Sequence, residues 1–383
     1  MSLVDRRKKV LVVDDEPANI HILIEALGDE FALVAARTGE KALAIAAATP
    51  HPDIILLDVM MPNMDGYEVC RRLKANPLTV NIPVIFVTSL SDSGDELHGL
   101  KIGAVDYILK PILPELVKAR VCSQLNLKQY RDHLEQMVEE RTRELSITQD
   151  ATIFTVANLA ETRDPETGAH IWRTQRYLRE LALHLAASPK YAAVLTPLDI
   201  DLLFKSAPLH DIGKIGITDQ TLLKPGKLTA EEFEEMKRHS FLGWRALSRT
   251  EQLLGSNSFL RYACEIALTH HEKWDGSGYP NGLSGEAIPL SGRLMAVADV
   301  YDALTSRRPY KMPFAHAESV SIIIADRGHH FDPAIVDTFI ALESDFQQIS
   351  ERVTDESANA IGEGTNLEKR SPLQGLVRGN GRH

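Results

Sequence analysis

Residues 9–127 alternate short apolar runs with segments of helical periodicity, and this alternation limits the possible folds more than any other feature of the chain. Strands and helices that alternate strictly predict a parallel sheet covered by helices on both faces. We therefore expect a doubly wound, five-stranded α/β domain. The predicted strands are Val10–Val13, Phe31–Ala35, Asp53–Leu57, Pro83–Val87 and Val105–Leu109.

Polar side chains stand at the ends of four of these strands, and functional groups gather beyond the carboxyl ends of parallel strands. Carboxylates suit Mg²⁺, and a carboxylate beside Mg²⁺ can accept a phosphoryl group. A lysine and a threonine can then bind the new phosphate. Each residue alone could be a helix cap or a surface residue, but together they favour a phosphorylation site. The residues are Asp14 and Asp15, Asp58, Thr88 and Lys110.

Four stretches of this region carry a family pattern, namely LVVDDE, DIILLDVMMPNMDGYEV, VIFVTS and GAVDYILKPI. In order and spacing they resemble the receiver domains of bacterial response regulators over roughly residues 8–127. The resemblance implies a flavodoxin-like fold and a cognate sensor histidine kinase as partner. The residue roles that it implies are Asp58 as phospho-acceptor, Asp14, Asp15 and Asp58 as Mg²⁺ ligands, Thr88 and Lys110 as phosphate contacts, and Tyr107 as aromatic switch.

A helical pattern continues from Leu113 to about Thr148. Four of its apolar residues are spaced by three, four and three positions, which is typical of a coiled-coil seam and predicts a homodimer. The alternative is an amphipathic helix that packs on its own domain. The seam residues are Leu127, Tyr130, Leu134 and Met137.

Residues 150–350 are predicted to be almost entirely helical, and histidines and carboxylates recur among them. A lone histidine in a helix is usually a packed or surface residue. The HDxxK pattern, a following HH pair and an aspartate in an apolar helix together favour a metal site, since an unpaired buried carboxylate would be costly. The candidate ligands are Glu166, His170, His210, Asp211, His239, His270, His271 and Asp299.

Imidazole and carboxylate ligands suit Fe, Mn, Zn or Ni, with Fe or Mn favoured here, and the absence of cysteine from the candidate set argues against a thiolate site. Eight ligands are too many for one ion. We expect two ions that share Asp211 as a bridge, and a third ion held with the help of Glu166. A hydroxide between two metals is a strong nucleophile toward phosphorus. If the segment is helical, Glu166 shares a face with His170.

The same region contains APLHDIGKIGI, HHEKWDGSGYPNGL, IPLSGRLMAVADVYDALTSRRPYK and FDPAIVDTF. Over about residues 150–345 it resembles the HD-GYP phosphodiesterases, a branch of the HD metal-hydrolase superfamily. The resemblance implies an all-α domain, two or three metal ions, and hydrolysis of cyclic di-GMP to linear pGpG, GMP or both. The residues it implies are Lys214 and Asp211 for catalysis, and Arg308, Lys311, Gly278, Tyr279 and Pro280 for substrate binding.

The net charge of -11 argues against general nucleic-acid binding. The sequence also carries no helix-turn-helix signal, so direct DNA binding is not predicted. The three cysteines are widely spaced, which suits a reducing compartment. No signal peptide and no stretch long enough to span a bilayer is predicted, so we expect a cytoplasmic protein.

We therefore expect a receiver over residues 1–127, a coiled-coil-like linker over 128–149, an HD-GYP domain over 150–353 and a disordered tail over 354–383. The favoured function is a phosphodiesterase regulated by phosphorylation. Two alternatives stay open. One is a catalytically idle HD-GYP module that acts through protein contacts, and the other is an HD hydrolase of another nucleotide.

Overall fold

The structure is a computed structural model that describes residues 7–89, 99–162, 168–254, 259–306 and 312–352. The chain divides into two compact units, Met1–Glu144 and Leu145–His383. The predicted tail, residues 354–383, lies outside the described residues.

The first unit contains a five-stranded parallel sheet, which confirms the predicted fold class. The strands are β1 Lys9–Val13, β2 Ala32–Ala36, β3 Ile54–Asp58, β4 Val84–Thr88 and β5 Asp106–Leu109. Their order, β2-β1-β3-β4-β5, is the flavodoxin-like order, in which the site lies at the carboxyl ends of the strands. The strands β3 and β4 are buried along their whole length.

Helices cover both faces of this sheet because alternate side chains of each strand point to opposite sides. In β1, Leu11 and Val13 belong to one apolar core, whereas Val10 and Val12 belong to the other. The second core also takes Val117 from the long helix that follows the sheet. The helices of the unit that lie wholly within the described residues are Pro17–Leu27, Gly39–Ala47, Gly66–Ala75 and the first part of Pro114–Glu161.

The long helix Pro114–Glu161 extends well beyond the predicted end near Thr148, so that boundary was wrong. The helix continues because Ile153 and Ala157 are buried in an apolar cluster with Leu209 of the second unit's own core. The four predicted seam residues remain between 42% and 68% exposed.

The second unit is helical, as predicted, and its main apolar core contains a cluster of packed aromatic rings. Tyr177 and Phe346 stack with centroids 4.5 Å apart, and Tyr301 meets both rings edge-on. Its α-helices, after the end of Pro114–Glu161, are Gly168–Ala186, Pro197–Ser206, Asp219–Leu222, Ala230–Leu254, Leu260–Thr269, Leu290–Thr305, His316–Ala325, Pro333–Ala341 and Glu343–Arg352. Its 3₁₀ turns are Ala207–Leu209, Ile212–Gly216 and Gly285–Ala287.

Within the described ranges, no helix is both long enough and apolar enough to cross a bilayer.

Candidate metal centre and phospho-acceptor site

Seven of the eight predicted ligands come together in two groups, and the eighth, Glu166, lies outside the described residues. Within each group, one ligand atom from every residue lies within 4.8 Å of the others. The first group is Asp211, His239, His270 and His271, and the second is His170, His210 and Asp299.

Asp211 lies between the two groups and presents one oxygen to each. Its Oδ1 is 3.2 Å from Nε2 of His239 and 3.6 Å from Nε2 of His270. Its Oδ2 is 3.3 Å from Nε2 of His210, in the second group. This is the arrangement that a carboxylate bridging two cations requires.

Two buried polar atoms at this point are left without a hydrogen bond among the described residues. They are Oδ1 of Asp211 and Nε2 of His270. A buried polar atom without a partner costs free energy, and native structures hold few of them. A cation between these two atoms would satisfy both, and the imidazole and carboxylate donors suit a divalent transition metal. The residues therefore fit divalent metal ions.

The protonation states of Asp211, His270 and His271 favour ligation. Burial alone would raise the pKa of Asp211, but the Lys214 ammonium, 2.8 Å from Oδ2, and His210 hold it well below its usual value. The carboxylate is therefore ionised. Burial lowers the pKa of His270, and burial with the neighbouring imidazoles lowers that of His271 well below its usual value. Both rings are thus neutral, as metal ligation requires.

Backbone carbonyls orient three of the histidines. In each case Nδ1 contacts a carbonyl oxygen of the preceding helical turn, which leaves Nε2 to face the metal centre. The pairs are His210 with Ala207 (2.9 Å), His239 with Met236 (2.7 Å) and His270 with Ile266 (2.9 Å).

His170 is oriented differently, by an ion pair that sequence reasoning missed. Its Nδ1 lies 2.8 Å from Oδ2 of Asp302, and Arg173 donates to both Asp302 oxygens at 2.6 and 2.9 Å. Burial opposes the charge on Asp302, but the hydrogen bonds from Arg173 and His170 lower its pKa to about 2. A signal was present in the sequence, because Asp302 follows Asp299 by three positions in an apolar helix.

We expect Asp302→Asn to weaken metal binding by about 10- to 100-fold, because a neutral amide orients and polarises His170 less well than a carboxylate. Excess metal should restore occupancy. Metal titration measures the effect, with Asp201→Asn as control, since Asp201 is an exposed aspartate paired with Lys205. Equal affinities in the two variants would contradict this role.

Close backbone packing joins two ligand-bearing elements. A Cβ on Gly213 would lie 1.9 Å from the carbonyl oxygen of His239. The turn that carries Asp211 and Lys214 therefore packs directly on the helix that carries His239. Only glycine permits this approach, which explains the residue type in the HDxGK pattern.

The loop that carries Tyr279 adjoins the first group of ligands. The Tyr279 ring centroid is 4.8 Å from that of His271, with an interplanar angle of 33°. The buried Glu272 carboxylate accepts backbone N–H bonds from Asn281 (2.7 Å) and Leu283 (3.0 Å), which ties the far side of the loop back to the HH pair. Sequence reasoning missed Glu272, although its position directly after the HH pair was a signal.

The other predicted substrate residues divide into two sets. Gly278 and Pro280 flank Tyr279 in this loop, and a Cβ on Gly278 would lie 2.3 Å from the backbone nitrogen of Lys273. The loop is thus pressed against the residues that follow the HH pair. Arg308 and Lys311 lie outside the described residues.

In the first unit, the predicted acids meet at the carboxyl ends of the strands. Asp14, Asp15 and Asp58 form a third group whose ligand atoms lie within 4.8 Å. Lys110 Nζ is 3.0 Å from one oxygen of Asp14 and 3.0 Å from one oxygen of Asp58. Burial and the charge of Asp14 raise the pKa of Asp58, while Lys110 opposes this shift. A Mg²⁺ ion would offset the same repulsion.

Two further predicted residues stand nearby in the sheet. Thr88 is buried and ends β4, which pairs with the strand that ends in Asp58. Tyr107 lies in β5 and packs partly buried against one apolar core. The sheet therefore places Thr88 at the same carboxyl edge as Asp58.

Comparison with known proteins identifies both units. The receiver domain model of response regulators matches residues 10–122, and the HD domain model matches residues 155–335. This defines a response regulator whose receiver precedes a helical HD domain. Relatives that are 38% and 50% identical match most of the chain. The chain therefore belongs to the family of response regulators with an HD domain.

Three relatives illustrate the similarity. A probable cyclic di-GMP phosphodiesterase of Vibrio cholerae is 50% identical over 92% of this chain and 81% of its own. The cyclic di-GMP phosphodiesterase response regulator RpfG of Xanthomonas campestris is 38% identical over 80% of this chain and 79% of its own. A cyclic di-GMP phosphodiesterase of Thermotoga maritima is 38% identical over 92% of this chain and 95% of its own.

Proposed function

We propose that this chain hydrolyses cyclic di-GMP at a divalent-metal centre and that phosphorylation of Asp58 controls the reaction. The observation that carries the proposal is the position of Asp211, with one oxygen facing each of two ligand groups. The names of relatives that cover most of the chain support the substrate.

Seven described residues would hold two ions, and Glu166 would add a ligand for a third. The imidazole and carboxylate donors suit Fe, Mn, Zn or Ni, and of these we propose Fe or Mn. When bound, a pair of divalent ions activates water and stabilises the charge that develops on a phosphodiester during in-line attack. The seven ligands are His170, His210, Asp211, His239, His270, His271 and Asp299.

The chain's own residues then bind and orient the substrate. Lys214 is buried beside Asp211 and supplies a positive charge at the metal edge for the phosphate. The loop with Gly278, Tyr279 and Pro280 forms one wall of the pocket. With three ions the reaction would pass beyond linear pGpG to GMP, and with two it would stop at pGpG.

The receiver supplies the control. Asp58 would accept a phosphoryl group from a sensor histidine kinase, with Mg²⁺ held by Asp14, Asp15 and Asp58. Thr88 and Lys110 would contact the phosphate, and Tyr107 would change its packing in response. The exposed seam on the helix Pro114–Glu161 would pair two chains, because four apolar residues at heptad spacing face solvent.

A substrate panel tests the reaction. Metal-loaded protein is incubated with cyclic di-GMP, other cyclic dinucleotides and linear pGpG, and the products are separated by chromatography. Preferred consumption of cyclic di-GMP supports the proposal. Preference for another nucleotide would favour a different HD hydrolase, and a fully metal-loaded chain without turnover would favour an idle binding module.

We expect Arg308→Ala and Lys311→Ala each to raise KM for cyclic di-GMP while metal content stays the same. Loss of one charge-assisted phosphate contact costs roughly 1.5–3 kcal/mol. The control is Arg327→Ala, because Arg327 pairs with the exposed Asp337 on the surface. Steady-state kinetics identical to the parent's in both variants would remove these residues from the pocket.

A further inference from the structure

An aromatic ring and a lysine lie at the edge of the metal centre, on the helix Ala230–Leu254 that also carries His239. The ring centroid of Phe233 is 6.3 Å from that of Tyr279, at an interplanar angle of 80°. The Tyr279 ring in turn lies over His271, with centroids 4.8 Å apart. Phe233 is therefore one ring removed from a candidate metal ligand.

Lys237 follows Phe233 by one helical turn and reaches the same place. Its Nζ lies 4.9 Å from the Phe233 centroid and 5.7 Å from the Tyr279 centroid. Lys237 forms an ion pair with Glu234 of the same helix, and the Glu234 side chain is 70% exposed. A solvated pair of this kind binds weakly, so the ammonium can turn to an incoming group.

Phe241 of the same helix matches Phe233 in exposure and in having a nearby cation, but it contacts a different ring. Phe233 and Phe241 are both 46% exposed. Both also have a cation one turn later, because Arg245 lies 5.9 Å from the Phe241 centroid. Phe241, however, contacts the ring of Trp244 rather than the loop beside the metal centre. The helix thus offers a matched pair of aromatic residues, of which one adjoins the candidate active site.

We propose that Phe233 and Lys237, together with Tyr279, form a subsite for a guanine base of the substrate. An exposed ring beside a reaction centre offers a face on which a base stacks. The Hoogsteen edge of guanine presents two acceptors, O6 and N7, whereas adenine replaces O6 with an amino donor. An ammonium at this edge therefore favours guanine. This inference rests on the proposed function, since it requires a nucleotide substrate at the metal centre.

Substitution at Phe233 tests the stacking contact. We expect Phe233→Ala and Phe233→Leu to raise KM for cyclic di-GMP by roughly 5- to 150-fold, with kcat and metal content unchanged. Phe241→Ala is the matched control and should leave KM at the parent value. Thermal unfolding of each variant identifies loss of fold, and Phe233→Leu keeps the aliphatic bulk if the alanine variant is unstable. A Phe233→Leu variant with the KM of Phe241→Ala would overturn the subsite.

Substitution at Lys237 tests the choice of base. Lys237→Ala should reduce the preference for cyclic di-GMP over cyclic di-AMP, measured as the ratio of their kcat/KM values. Arg245→Ala, the matched control, should keep that ratio. An unchanged ratio in Lys237→Ala would overturn the role of the lysine.

A binding measurement separates this inference from the proposed function. Calorimetric titration of the metal-loaded full chain with GMP requires no turnover. If the parent does not hydrolyse cyclic di-GMP but binds GMP more tightly than Phe233→Leu does, the proposed function fails and the subsite stands. If the parent hydrolyses cyclic di-GMP and both proteins bind GMP equally, the proposed function stands and the subsite is overturned.

Discussion

Asp211→Ala is expected to remove both bound metal and phosphodiester hydrolysis. Asp211 presents one oxygen to each ligand group, so its loss deprives both proposed ions of a shared ligand and leaves buried imidazoles facing one another. Loss of a residue that only orients a metal ligand already lowers metal affinity or activity by about 10- to 100-fold. We therefore expect activity to fall by more than about 100-fold, measured with metal analysis on the same preparation.

Two further variants make this result specific. Asp211→Asn keeps the side-chain volume but removes the charge, and it should also lose metal. Asp201→Ala removes an exposed aspartate that pairs with Lys205, and it should retain both metal and activity. An Asp211→Ala protein with full metal content and parental turnover would refute the bridging role.

Phosphorylation at Asp58 is expected to change the rate of cyclic di-GMP hydrolysis by about 5- to 150-fold, the usual range for coupled sites. Lys110 now contacts Asp14 and Asp58 together. A phosphate adds about -1.5 to -2 charge, judging from other phosphorylated residues. Lys110 and Thr88 would then turn to the new group. Turnover with and without beryllofluoride, a phosphate mimic, measures the response, and Asp58→Ala should abolish it while keeping basal activity.

The change in turnover with beryllofluoride also tests whether the long helix couples the receiver to the hydrolysis reaction. The helix Pro114–Glu161 carries the exposed seam, and a two-residue insertion after Met137 shifts the heptad phase. That variant should lose the response to beryllofluoride and keep basal turnover. A seven-residue insertion restores the phase and is the matched control. A two-residue variant that responds like the parent would mean that the signal does not travel through the seam.

The sequence identifies most of the residues that meet at the two candidate sites because these residues belong to local patterns. Strand ends define Asp14, Asp58 and Lys110, and periodic apolar segments define the ligand-bearing helices. The partners that orient these residues are not local. Arg173 and Asp302 meet across 129 positions, which no periodicity reveals.

Tertiary packing also explains the wrong helix end. The predicted end near Thr148 separated a linker from the following helical domain, but Ile153 and Ala157 are buried with Leu209 in one apolar cluster, and the helix runs on without a break. Burial of an apolar face outweighs weak local propensity. Phe233 was missed for a related reason, since only the folded chain brings it to the ring of Tyr279.

The most direct test of the central claim is a metal titration of anaerobically purified, metal-free protein, with bound metal and cyclic di-GMP hydrolysis followed in the same samples. The account predicts that hydrolysis appears only as metal binds and reaches its maximum at two or three divalent ions per chain. A protein that hydrolyses cyclic di-GMP equally well without bound metal, or that fills these sites and leaves cyclic di-GMP intact, would contradict it.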